Sequence, residues 1–254
     1  MAAAPACHRH ILDAFAPCGR KSTGGPRTRV VLLRHTPDPD RVCAAAAASC
    51  YSASPASAID SRLTPEKMGR TIQSAVGRGH HSVLEHAVFT FSLEGVSRAM
   101  THQLVRHRVA SYSQQSQRYV RFDRPDYVTP PEVASRPDAK EAFDRAVADA
   151  WAAYSKLVGS GVPEEDARYL LPNAATTNIT VTMNARELLH VFRLRLCLRA
   201  QWEIREVARL MLDEAVKVAP AIFKDAGRPC SAGPCPEGAE DCPLYPGPWG
   251  PKEG

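Results

Sequence analysis

The chain of 254 residues has no uninterrupted apolar run approaching the roughly 20 residues that a bilayer-spanning helix requires, and its Ala-rich stretches are short and broken by Cys, Ser and Pro. A membrane-embedded protein is therefore not expected, and the sequence reads as soluble and cytoplasmic. The first 28 residues lack the apolar core of a secretory signal; their mixture of Ala, Pro, Gly, Cys and Arg reads as a disordered extension. There is no glycine-rich dinucleotide loop and no Cys-x-x-Cys pair. An acidic excess is also missing. The net charge of +5 points instead to anionic partners. Several Arg lie singly within apolar-periodic segments, which suits discrete phosphate or carboxylate pockets better than a patch that steers a long polymer.

What is present suffices for a sizeable core, with 44% apolar and 23% charged residues. Arg29 to His35 reads as a strand, followed by a turn at 36–39 and an Ala-rich helix to about Tyr51. A second helix is expected over Thr64 to Gly77, with Thr64 as N-cap and Pro65 at its first position. Ser82 to Leu93, with Phe89, Phe91, Val88 and Thr90, reads as a strand with one buried face. A short helix from about Val96 then leads into Arg106. Residues 122–136 read as loop and Ala139 to Gly159 as a peripheral helix, while Gly161-Val162-Pro163 opens a short helix carrying Arg168. A Thr-rich strand over Thr176 to Met183 precedes what reads as the longest helix, Asn184 to about Val218, with Asn184 capping it and Glu187 reaching back.

The densest polar cluster is 106–119, with three Arg, one His, three Ser and three Gln in fourteen positions. It is too polar for a core element and reads as loop. Guanidinium forks and hydroxyls suit a phosphate, and amides can read a base edge; a solvated surface loop has the same composition. The chemistry alone leaves open a nucleic-acid-binding module with Tyr112 and Tyr119 as stacking surfaces.

Arg106-His107-Arg108, then seven residues, then Ser116 resembles the signature of the flavin-dependent thymidylate synthases, and Ser116 to Tyr119 continues it. Four more segments resemble that family in the same order: Gly79-His80-His81-Ser82 with Glu85-His86, Gly161-Val162-Pro163 with Ala167-Arg168, Asn184-Ala185-Arg186, and Leu194-Arg195 with Ala200-Gln201-Trp202-Glu203-Ile204.

The resemblance implies an α/β (α+β) fold with a twisted, mainly antiparallel sheet flanked by helices, and a homotetramer with active sites between subunits. It implies methylation of dUMP to dTMP, with 5,10-methylenetetrahydrofolate as carbon donor and NADPH as electron source through FAD. The dUMP site implied is Gln103, Arg106, Gln114, Gln115, Ser116, Gln117, Arg118, Arg168 and Arg195, with Arg195 stabilising the ionised uracil. The FAD site implied is His80, Ser82, Arg106, His107, Arg108, Gln114, Asn184, Arg186 and His190. Ser116 has no activating base placed by the sequence, so it is expected to position phosphate or base rather than to attack. Gln114 stands where Glu is also common in the family, and Ser113 where Asn is.

The eight cysteines include none in the polar cluster, in keeping with a flavin route rather than one using an activated Cys. Cys7, Cys18, Cys43 and Cys50 read as reduced thiols. Cys230, Cys235 and Cys242, with Cys197 as a fourth ligand, are a loose candidate Zn²⁺ site, set against free thiols or a disulfide. The expected organisation is thus an extension over 1–28, a catalytic domain over 29–226 and a Cys/Pro/Gly-rich tail over 227–254.

Overall fold

The structure, a computed structural model, describes residues 28–231, 234–238 and 242. The expected extension, with Cys7 and Cys18, lies outside the described residues except for Thr28. Among the described residues four strands form one sheet, β1 (Arg29–His35), β2 (Val88–Ser97), β3 (Ala110–Gln114) and β4 (Thr176–Asn184), in the order β1-β2-β4-β3. All three pairings are antiparallel. The fold is therefore α+β with an antiparallel sheet, as the resemblance implied.

Alternation along β2 and β4 divides the sheet into two chemistries. Phe89, Phe91, Leu93, Ile179, Val181 and Met183 face the core and are buried. The intervening residues build rows of hydroxyls across the other face: Thr90 pairs with Thr182 and Thr182 with Ser111, and Ser92, Thr180 and Ser113 align likewise. The Thr90 and Thr182 hydroxyls lie 2.9 Å apart.

The apolar face packs against α1 (Pro39–Ser49), α3 (Pro65–Gly77), α8 (Ala185–Arg195) and α9 (Trp202–Val218), numbered in chain order with α2 (Ala56–Asp60) between the first two. Thr64 caps α3 as expected, its side chain accepting from the Lys67 N–H, with Pro65 in the first turn. Phe223 of the short α10 (Pro220–Phe223) stands edge-on to both Phe89 and Phe192, joining sheet and helices. Burying each such ring contributes about 2–3 kcal/mol. Helix α6 (Pro137–Gly159) has its own small cluster, with Val147 and Trp151 packed on Ala175, and so is peripheral as the sequence suggested. The minor helices are α4 (Arg98–Leu104), α5 (Pro131–Ala134) and α7 (Glu164–Ala167).

Three expectations are corrected. Residues His81–His86 are not strand but a 3-10 helix that turns Val83 and Leu84 inward, and β2 starts only at Val88. The polar cluster contains a strand, β3, at the sheet edge rather than loop alone. The helix expected to run unbroken from Asn184 to Val218 is two helices. At 196–201 the chain turns, and Gln201 caps α9 by accepting from the Glu203 and Ile204 N–H groups. Among the described residues the longest helix is instead α6, with 23 residues.

Candidate active site

Helix α4 organises the site, and it is braced from α9. Glu203 is 2% exposed, and its carboxylate accepts from the Ser97 N–H at 2.6 Å and the Ser97 hydroxyl at 2.5 Å. Ser97 in turn caps α4 by accepting from the Met100 N–H. A buried carboxylate is tolerable only with such partners. The helix so fixed carries Arg98, Thr101 and Gln103.

On β3, Tyr112 and Gln114 point towards α4 while Ser111 and Ser113 are exposed. The Gln114 amide donates to the Thr101 hydroxyl at 3.1 Å and the Thr177 hydroxyl at 3.4 Å. The Tyr112 hydroxyl meets the carbonyls of Leu104 and His107, which turns the chain after α4 and draws His107 inwards.

At the C-terminal end of α4, His107 is buried against α8. Arg195 Nε donates to His107 Nε2 at 3.0 Å, and Arg195 Nη2 donates to the Gln103 carbonyl at 3.4 Å. Glu187 Oε1 lies 3.3 Å from His107 Nδ1, and the His190 ring stands edge-on to His107 at 5.7 Å. Burial, then Arg195 and His190, push the His107 pKa down to about 4, so the ring is neutral near pH 7 and faces the carboxylate as an uncharged imidazole rather than as an ion pair. Burial also lowers the pKa of Arg195. Asn184 is the N-cap of α8, accepting from the Glu187 N–H at 2.9 Å; Glu187 sends its side chain to His107 instead of completing a capping box.

At the other end of α4, Arg98 donates to the Gln117 side chain at 2.9 Å and the Gln115 carbonyl at 3.4 Å. Burial and the neighbouring Arg168 both lower the Arg98 pKa. Glu165 ties two further cations to this place: its carboxylate takes Arg118 Nε at 2.8 Å and its carbonyl takes Arg168 Nε at 3.1 Å. A cleft of about 310 Å³ opens here, with Arg98, His102, Gln117, Arg168 and Asn173 on its walls. Two guanidiniums in one partly desolvated cleft repel each other and favour an anion between them. Ser116 Oγ accepts from the Arg118 N–H, which leaves its hydroxyl proton to donate.

The remaining predicted residues are less concentrated. Arg186 is exposed and pairs with Glu85 of the 3-10 helix at 2.6 Å, which sets Ser82 and α8 side by side. His80 instead meets the Tyr51 hydroxyl at 2.9 Å. Arg106 and Arg108 are exposed and make no ion pair among the described residues. The zinc expectation is not met: among the described residues no three His, Cys, Asp or Glu gather, and Cys197, Cys230, Cys235 and Cys242 are all free thiols. Their loose spacing does not converge on a tetrahedral centre.

A family model described as "Thymidylate synthase complementing protein" matches residues 31–221. The chain is 51% identical over 216 residues to the flavin-dependent thymidylate synthase of Geobacter sulfurreducens, covering 84% of this chain and 93% of that one. It is 46% identical over 230 residues to that of Clostridium tetani (84% and 92%) and 46% identical over 206 residues to that of Sulfolobus acidocaldarius (80% and 78%). The chain belongs to the flavin-dependent thymidylate synthase family.

A flavin-dependent enzyme must hold a flavin, an extended, largely apolar ring system. Of the residues the resemblance implies for that group, Ser82, Arg186, His190 and Arg108 are exposed, and Val105, Val109, Leu194 and Leu198 are exposed apolar side chains near Arg106 to Arg108 and Arg195 in the chain. Sequence reasoning missed Arg98, Thr101, Glu165 and the role of Glu187. Arg98 sat unmarked in an apolar stretch, and Glu187 was absorbed into a capping pattern.

Proposed function

We propose that residues 29–226 form a catalytic domain that methylates dUMP to dTMP, using 5,10-methylenetetrahydrofolate as carbon donor and NADPH as electron source through FAD. The observation that carries this reading is the placement of two cationic centres at opposite ends of α4. Its six residue steps span about 9 Å, comparable to the separation of a nucleotide's phosphate from its base. Arg98, Arg118, Arg168 and the Ser116 hydroxyl take the 5′-phosphate. Gln103 and Arg106, at the far end, meet the pyrimidine. Arg195 offers its unspent N–H groups to the charge that develops on the ring, a fixed donor set that needs no reorganisation as the charge forms. Gln114 and Gln117 spend amide groups on Thr101, Thr177 and Arg98, so they hold the walls of the pocket as well as facing it.

FAD, held by Ser82, His107, Arg108, Asn184, Arg186 and His190 together with His80, Arg106 and Gln114, supplies the reducing equivalent when bound. The protein's part is to hold the pyrimidine still against it and keep water out. Exposed Tyr119, Tyr169 and Leu170 beside Arg118 and Arg168, and Leu194 beside Arg195, support completion of each site by neighbouring subunits in a cytoplasmic homotetramer.

The test is direct. Purified protein is yellow, its flavin absorbance bleaches with NADPH, and label from methylene-folate appears in dTMP only when dUMP is present. Protein that binds no flavin when supplied with excess, or that bleaches and transfers no label, refutes the proposal.

A further inference from the structure

We infer that Glu187 is a positioning residue that fixes the tautomer of His107 and, through it, the aim of Arg195. The inference rests on the proposed role of Arg195 and deepens it.

A guanidinium is always protonated and has no acceptor, so Arg195 Nε, 3.0 Å from His107 Nε2, must be the donor of that hydrogen bond. The ring nitrogen must then be the acceptor. A neutral imidazole has a single N–H, which is thereby placed on Nδ1, and Nδ1 faces Glu187 Oε1 at 3.3 Å. Glu187, with its side chain 12% exposed, is held at the first turn of α8 by the Asn184 cap on its own N–H. The other groups around the ring do not supply this anchor. The His190 ring is roughly perpendicular to His107, with centroids 5.7 Å apart and no hydrogen bond between the two rings in the structure, and Tyr112 donates to the His107 backbone carbonyl rather than to the imidazole.

An anion 3.3 Å from Nδ1 favours a proton on that nitrogen, so the carboxylate holds the ring in the tautomer whose Nε2 lone pair meets Arg195. With the proton on Nε2 instead, two donors would confront each other and Arg195 would lose one of its two anchors. Of five N–H groups, Arg195 spends one on His107 and one on the Gln103 carbonyl. The remaining three are aimed by these two bonds. Three side chains in series, carboxylate, imidazole and guanidinium, thus convert a partly buried charge on α8 into the orientation of a cation at the pyrimidine end of the site.

The experiment combines ring-nitrogen NMR of histidine-labelled protein with steady-state kinetics of Glu187→Gln and Glu187→Leu. His107 is assigned by loss of its signal in His107→Gln. The wild type and Glu187→Gln, whose amide oxygen keeps a partial negative charge facing Nδ1, show His107 protonated at Nδ1. Glu187→Leu shows Nε2 protonation and loses about 10- to 100-fold in kcat, with flavin content kept and the KM for dUMP little changed, and Glu187→Gln recovers most of that loss. A wild-type ring protonated at Nε2, or a folded Glu187→Leu with wild-type kcat, overturns the inference. If Glu187→Leu does not fold, the same two readouts are taken from Glu187→Ala, where a folded protein with wild-type kcat overturns the inference. Absence of dTMP formation by the wild type would refute the proposed function and leave the tautomer readable.

Discussion

Removing the Glu203 carboxylate tests the idea that α9 braces the site helix. In Glu203→Ala, the Ser97 N–H and hydroxyl lose acceptors at 2.6 and 2.5 Å within a region that is 2% exposed at both residues. A hydrogen bond to a charged group contributes about 1.5–3 kcal/mol, and a buried donor left unpaired costs about 1–3 kcal/mol. The Ser97 hydroxyl can rotate to another acceptor; the N–H cannot. The net loss expected is about 3 kcal/mol, a large fraction of the 5–15 kcal/mol that holds a typical protein together. For a chain of this length that lowers Tm by about 6 °C. Glu203→Gln retains an acceptor for the Ser97 N–H and should lose about half as much. Urea unfolding of the flavin-free protein at fixed concentration, with the slope m checked for constancy, measures both. A Glu203→Ala protein within about 0.5 kcal/mol of wild type would refute the brace.

Other perturbations read other parts of the structure. Because the folded-state pKa of His107 is depressed from 6.5 to about 4, the unfolded chain binds the proton first; stability is full above about pH 6.5, falls as the pH drops through the window from 6.5 to 4 and levels off below it, and His107→Gln should flatten that part of a stability–pH profile. Arg118→Ala leaves Tm unchanged, since its exposed pair with Glu165 adds little, while dUMP affinity measured by calorimetry falls at least about tenfold and flavin stays bound. Thr64→Ala removes the cap of α3 and costs about 1 kcal/mol in the same urea assay, with no effect on turnover.

Where the side chains alternate or cap, the sequence spoke plainly. Phe89 and Phe91 marked β2, and Thr64-Pro65 marked the start of α3. The polar strand β3 was hidden because an edge strand can satisfy its pattern with Ser111 and Ser113 outwards and Gln114 inwards, without the apolar alternation that signals burial. The break between α8 and α9 was hidden because no Gly or Pro marks it. Gln201, a residue that looks at home inside a helix, makes the new cap, and the carbonyls of Leu198 and Ala200 are taken by Arg205. The motif residues were legible as chemistry, but their partners were not. Arg98, Glu165 and Glu187 acquire meaning only when strands and helices far apart in the chain meet, and nothing local distinguishes them from ordinary surface charges.

The shortness of α4 also bears on selectivity. Its two ends are pinned, at Arg98 through Gln117 and at Gln103 through Arg195, and in the proposed binding mode it is a rigid gauge between an anion cradle and a base cradle. In that mode a nucleoside without phosphate would leave the first cradle empty and a diphosphate would overrun it, so a seven-residue helix would set the length of molecule accepted.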